Sequence, residues 1–512
     1  MKSLVHALPA LWRTERRGSS LPWLVVGFCT LALLVSCGGG GGVGSGGTGA
    51  TASGTVTGFG SVIVDGVRFD DSKAAVSIER SADDNSKGGA RAEVKLGHQL
   101  VFSFDGKDEN KGVARSISIE PTLIGQVTLP APSATSLTLL GRSVAINTDP
   151  VKGPVTVFEP NQAAITVGTQ VEVHAIAGGA ASSGLVATRV EVASSAGLRV
   201  SGVVSGLTTT SGVTSMSVAG VTVLLSTGAG GTTVVPSGSR LANGQVVAVF
   251  ADAAGFNSAT GALTAARVRV DTRKAGGVDD YVGGLITNLS GTTFNLGSIT
   301  VNGSLATVSP SGTTLANGQY VRVRGSLSSN GQQLAANKIS LRSAEPEAEL
   351  NGNIVGFVAG SGATPSTFTI RDVVVTLPST VTPDFTRCTG ATALAESMFV
   401  EVKGTTTATG VTATAIKCED EGSLTGATVE RTGTASALGA SNTATVGSFT
   451  LTTLSETIKV QYNELTYFRP KRIGSAFDGK SLIDGIKLEV EGQITGTGAA
   501  AVLVATKIKQ DD

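Results

Sequence analysis

The chain has 512 residues, far more than one typical domain needs, so it can bury several cores. Its 68 Gly come with only 15 Pro and no G-X-Y period, which excludes collagen, and 15% charged residues exclude a long polyelectrolyte tail. Basic and acidic residues balance at 39 each, so the net charge gives no attraction for nucleic acid.

Residues 1–36 read as a signal peptide. Arg13, Arg16 and Arg17 form a basic start, and residues 21–35 are apolar apart from Pro22, Gly27 and Thr30, too short a stretch for a comfortable transmembrane helix. The sequence Leu34-Val35-Ser36-Cys37 resembles the lipobox of bacterial lipoproteins, and that resemblance implies a diacylglycerol on the Cys37 thiol. Gly38 after the cysteine is similar to lipoproteins sorted to the outer membrane. Gly18, Ser19 and Ser20 after Arg16-Arg17 suit ordinary secretion better than twin-arginine export. Residues 37–52 then form a lipidated cysteine and a Gly-rich tether, a flexible coil with no core-forming residues. The expected location is the outer membrane, on its periplasmic face or at the cell surface, with the membrane contacted through Cys37.

One unit repeats from residue 53 onward. It opens with Gly54-Thr55-Val56, Gly125-Gln126-Val127, Gly202-Val203-Val204, Gly284-Leu285-Ile286 and Gly352-Asn353-Ile354, and more weakly with Gly433-Thr434-Ala435. A hairpin such as residues 294–301 follows. Next comes a turn into a strand: Gly97-His98-Gln99-Leu100, Gly168-Thr169-Gln170-Val171, Gly244-Gln245-Val246-Val247, Gly318-Gln319-Tyr320-Val321 and Gly485-Ile486-Lys487-Leu488. The fifth copy, Ser397-Met398-Phe399-Val400, lacks the glycine. These strands alternate, so Val321 and Val323 are expected inside and Arg322 and Arg324 outside.

The unit ends on an Ala three residues before a β-branched residue, at Ala114/Ile117, Ala187/Val190, Ala265/Val268, Ala336/Ile339, Ala413/Ile416 and Ala505/Ile508. No helical periodicity is sustained. The reading is all-β, with about six tandem five-stranded barrels of the oligonucleotide/oligosaccharide-binding (OB) type. An open sandwich is the alternative. The domains fall at 53–123, 124–196, 197–275, 279–344, 348–421 and 422–510, and linkers near 275–277 and 345–347 suggest beads on a string.

The run Gly58-Phe59-Gly60-Ser61-Val62-Ile63-Val64-Asp65-Gly66-Val67-Arg68-Phe69, with the later Gly turn and Ala strand, resembles domain of unknown function 5666. The resemblance covers most of 53–510; the first four units match well, the fifth lacks the turn glycine and the sixth is stretched by an insertion. It implies a β-barrel fold and an envelope location, and brings no activity or catalytic residue.

Chemistry is sparse. Cys29 leaves with the signal and Cys37 carries lipid, so Cys388 and Cys418 read most simply as one disulfide, with two buried thiols as the alternative. His98 lies in a turn of the first unit and His174 on the polar face of a second-unit strand. In separate repeats, both read as solvated surface residues and not as a catalytic pair. No Cys/His spacing suits zinc, and the acidic runs at 83–84, 105–109 and 279–280 lack a calcium-loop rhythm, so no metal or cofactor is expected. Gly58-Phe59-Gly60 leads into a strand and not the helix a dinucleotide loop needs.

Trp12 and Trp23 both lie in the signal, which leaves the rest poorly equipped to stack sugars or single-stranded nucleic acid. Only residues 462–472 concentrate aromatics and cations: Tyr462, Tyr467, Phe468, Arg469, Lys471 and Arg472. They read as a loop packed on its own barrel or as a contact for an envelope protein partner, with Tyr467, Phe468 and Arg469 as anchors. Repetition without a repeated polar constellation points away from an enzyme. The expected function is a flexible, lipid-anchored scaffold of β-barrels presenting protein contacts. The alternative is a binding module for a small envelope ligand or glycan held in a barrel cleft.

Overall fold

The computed structural model describes residues 50–83, 92–106, 111–178, 184–193, 195–228, 230–271, 279–328, 330–342, 348–388, 390–419, 428–454, 456–471 and 475–511. The expected signal peptide, Cys37 and residues 38–49 of the expected tether lie outside the described residues, as does Arg472, while residues 50–52 belong not to a tether but to the first strand, with Ala50 and Ala52 buried in the core. Strands dominate, joined by short 3-10 turns, and the described residues include no α-helix.

In the first unit the strands are β1 (Ala50–Phe59), β2 (Val62–Val64), β3 (Val67–Asp70), β4 (Ala75–Ile78), β5 (Gln99–Asp105) and β6 (Lys111–Ile119). β1 pairs antiparallel with β2, and β2 with β3. β3 and then β4 run parallel to β6; β6 is antiparallel to β5, and β5 returns to β1. With β3 and β4 sharing one position, this is a closed five-stranded barrel of the OB-like kind.

The second unit repeats the circuit with β7 (Leu123–Gln126), β8 (Ser136–Leu139), β9 (Arg142–Ile146), β10 (Val157–Glu159), β11 (Gln170–Ala177) and β12 (Leu185–Val192). β7 meets β8 through a Val127–Leu139 bridge, β8 pairs with β9, β9 and β10 lie parallel to β12, and β11 joins β12 back to β7. The units opening at Leu198–Thr210, Asp280–Ser290, Ala348–Asn353 and Val429–Ser436 trace the same path. Each ends on a strand, broken at Ala266 in the third barrel, that is parallel to its third and antiparallel to its fourth. None of them is an open sandwich.

The odd spacing of the Ala/β-branched pair has a structural cause. In a straight strand, residues three apart point to opposite faces. Here Phe104 pairs with Ala114 but Ser103 with Ser116, which makes Arg115 the extra residue of a bulge. The same shift recurs at Thr188, Asn337, Thr414 and Thr506. Both members of each pair therefore reach the core, as with Ala114 and Ile117 or Ala505 and Ile508. On the facing strand, a Cβ at Gly325 would sit 2.1 Å from the Ala335 carbonyl oxygen, and one at Gly492 equally close to that of Val504. Only glycine tolerates that approach. In the fifth barrel Ser397 takes the turn glycine's place with φ 65°, so the left-handed turn persists without glycine.

The barrels are not beads on a string. The described residues, from Ala50 on, form one compact unit. β1 lies parallel to Asp280–Ser290 where Ala52 meets Tyr281, and to Ala348–Asn353 where Gly58 meets Glu349. β7 pairs with Leu198–Thr210, and the second and third barrels share one hydrophobic core. The first and fifth share another. Asp65, in the β2–β3 turn, accepts the Tyr320 hydroxyl of the fourth barrel at 2.6 Å. Alternation marks which face of a strand leaves its own barrel, but not whether another barrel covers that face. The linker positions 275–277 and 345–347 lie outside the described residues.

Candidate functional site

Ionisable groups gather at the seams between barrels. Arg199, at the start of the third barrel, is fully buried against the first. Its guanidinium donates to the Glu120 carboxylate and to the Glu79 carbonyl oxygen. Arg269 reaches Glu120 at 2.9 Å and Glu79 at 2.6 Å, while Arg267 lies 4.3 Å from the centre of the Phe250 ring. Burial pushes the Glu120 carboxyl up, but Arg269 and Arg199 outweigh it and bring it down to about 2.

A second network joins the fifth, sixth and first barrels. Asp372, in a hairpin turn of the fifth, takes Lys507 and Lys509 at 2.5 Å and Arg469 at 2.8 Å. Lys507 also meets Glu491 at 2.6 Å and Glu93 of the first barrel at 2.7 Å. Burial raises the Asp372 carboxyl, yet Lys507, Arg469 and Lys509 hold it far below the usual carboxylate range.

The aromatic and basic stretch at 462–472 is largely turned into these seams. Tyr462 is buried in the sixth-barrel core, and its hydroxyl donates to the Thr443 carbonyl oxygen at 3.1 Å. Phe468 packs edge-on against both Tyr462 and Phe477. Arg469 bonds Asp372 and lies 3.5 Å from Glu93, and Tyr467 lines a small cavity beside Glu93 and Lys507. Lys471 is exposed. Tyr462, Phe468 and Arg469 are thus engaged within the chain.

The histidines correct the surface reading most sharply. His98 and His174 are 1% and 0% exposed, and their ring centroids are 4.4 Å apart. The Gly97 turn of the first barrel carries His98 onto β11 and β12, where the outward face of β11 is covered. Each ring accepts a backbone amide at Nδ1: from Lys95 at 3.1 Å to His98, and from Gln99 at 3.2 Å to His174. His174 Nε2 donates to Glu172 at 3.0 Å, whereas His98 Nε2 has no hydrogen-bond partner among the described residues and lies 4.0 Å from Glu191.

His98, His174 and Glu172 place potential ligand atoms within 4.8 Å of one another. The tautomers oppose a metal there. A neutral ring that accepts at Nδ1 carries its proton on Nε2, the very nitrogen that would bind, whereas a metal-bound histidine donates from its second nitrogen. Asp372, Glu489 and Glu491 also converge, but Lys507 and Lys509 already neutralise them.

A cleft of about 430 Å³ opens where the first four barrels meet, faced by Gln99, Glu120, Ser201 and Arg269 beside Ile176 and Leu285. Its polar groups have internal partners: Gln99 Nε2 donates to Thr55 at 2.7 Å and Thr188 at 3.0 Å, and Ser201 donates to the Pro121 carbonyl oxygen at 2.8 Å. In the fifth barrel Cys388 and Cys418 are bonded, with Cα atoms 5.8 Å apart, which decides between the disulfide and the free thiols. Asp280, from one acidic run, accepts the Thr51 and Leu327 amides; Asp84 and residues 107–109 lie outside the described residues.

A family model described as "Domain of unknown function (DUF5666)" matches residues 125–191, 283–340 and 355–417. These three stretches are similar to DUF5666 and together cover less than half of the chain. They coincide with the second, fourth and fifth barrels, so each matched stretch is one closed circuit with its bulged last strand. The fifth barrel matches although Ser397 stands in the turn where the others have glycine. No curated protein matches the chain. A solved structure, drosophila Unr CSD456, is similar over 39% of this chain and 79% of its own, at 14% identity and a TM-score of 0.13. With a TM-score that low, the barrel topology rests on the strand pairing itself.

Proposed function

We propose that the chain is a non-enzymatic lipoprotein of the bacterial cell envelope, held at the outer membrane through Cys37 and presenting a rigid body of barrels to an envelope protein. One observation carries this reading: the barrels commit their buried ionisable groups to each other. Arg199, Lys507 and His98 are all buried at seams, and each seam uses different residues. A repeated catalytic or binding chemistry would instead keep one polar set from barrel to barrel. The Gly-rich stretch at 38–49 would give such a body reach from the membrane. The second reading, a small envelope ligand or glycan, is favoured by the size of the four-barrel cleft, about 430 Å³.

In cells, Cys37→Ala should abolish incorporation of labelled fatty acid and release the protein from the membrane fraction. Label retained in that variant removes the anchor from the proposal. Crosslinking of intact cells should recover a defined envelope protein with the wild type. Recovery of a small molecule alone, by native mass spectrometry of the purified protein, would favour the cleft instead.

A further inference from the structure

We propose that His98, packed against His174, forms a proton-operated latch between the first and second barrels, closed while the His98 ring is neutral and released by acid. The geometry sets the logic. Each Nδ1 accepts a backbone N–H, so protonating a ring would set a new N–H against an existing donor. The bond from Gln99 to His174 crosses the seam. It sits among other crossing bonds, from Thr188 Oγ1 to the Gly97 carbonyl oxygen at 2.7 Å and from Arg189 to that of Leu96 at 3.0 Å.

The surrounding charges leave no room for another proton. Arg80, Lys95 and Arg189 face Glu159, Glu172 and Glu191, three cations against three anions, with contacts that include Arg80–Glu172 at 2.5 Å and Lys95–Glu191 at 3.2 Å. Burial, and then the neighbouring His174 ring, hold the His98 pKa well below its ordinary 6.5. Burial pushes Glu172 and Glu191 up. The His174 hydrogen bond and Arg80 outweigh it at Glu172, and Arg189 and Lys95 outweigh it at Glu191, so both stay below the usual 4.5 and remain charged in mild acid.

The sign follows from which state binds the proton. Above pH 6.5 the open and closed states both hold His98 neutral, and the latch is indifferent to pH. Below 6.5 the open state takes up a proton on His98 that the closed state refuses, so opening gains about tenfold for each pH unit. Gln99 also lines the four-barrel cleft, so release of the latch changes that wall too.

The test is amide-exchange protection of Lys95 and Gln99 in the full chain, normalised for intrinsic rate, between pH 7.5 and 5. The latch predicts constant protection down to about 6.5 and a fall of about tenfold per unit below it. The fall should be absent in His98→Gln/His174→Gln, whose amide oxygens accept the same N–H groups without titrating. Should that variant not fold, the wild-type protection and the histidine ring resonances decide. Protection that stays constant to pH 5, rings that titrate with no loss of protection, or protection restored by added Zn²⁺ would each overturn the latch.

Discussion

Glu120→Leu is expected to lower the stability of the folded protein by about 3–5 kcal/mol, because it strips the fully buried Arg199 of its carboxylate partner. Arg199 would keep its bond to the Glu79 carbonyl oxygen, which carries no full charge to balance it. The double variant Glu120→Leu/Arg199→Met should recover much of the loss, since replacing both members of a buried pair by apolar groups is often nearly neutral. The wild-type contribution depends on pH in a defined sense. Because the folded state holds Glu120 at about 2 against an ordinary 4.5, the stabilisation is present in full above 4.5 and disappears as the pH falls through about 2. Denaturant midpoints of the single and double variants at neutral pH check the first part, and an acid series of the wild type the second.

Cys388→Ser/Cys418→Ser should cost about 3–4 kcal/mol on the chain-entropy description, given a sequence separation of 30 between the bonded cysteines. The bond joins the loop after the third strand of the fifth barrel to the end of its last strand, so the loss should localise there. Limited proteolysis under reducing conditions should cut first within residues 378–398. Proteolysis that starts elsewhere, with an unchanged midpoint, would show the bond to be dispensable.

Each barrel's own interior was legible because local alternation encodes it. Val321 and Val323 are fully buried while Arg322 and Arg324 stay half-buried outside, as period two requires. The Ala/β-branched spacing marked the last strand correctly, and its odd interval was a bulge signature. What lies between barrels was not legible. His174 is on the outward face of its strand, as alternation placed it, yet that face is covered by the turn carrying His98, 76 positions earlier in the sequence. Arg199 likewise meets Glu79 across 120 positions. Nothing local distinguishes a charge that will face water from one that will face another barrel. The glycines at 283 and 58 were the available clue: a Cβ at 283 would fall 1.9 Å from Asp65 Oδ2, and one at 58 would fall 2.0 Å from the Glu349 carbonyl oxygen.

Barrels locked together by buried ion pairs should unfold together. Scanning calorimetry of the protein should therefore give one transition whose calorimetric and van't Hoff enthalpies agree, and Glu120→Leu should move that whole transition. Several independent transitions, only one of them shifted by Glu120→Leu, would contradict the rigid body and restore a flexible string of barrels.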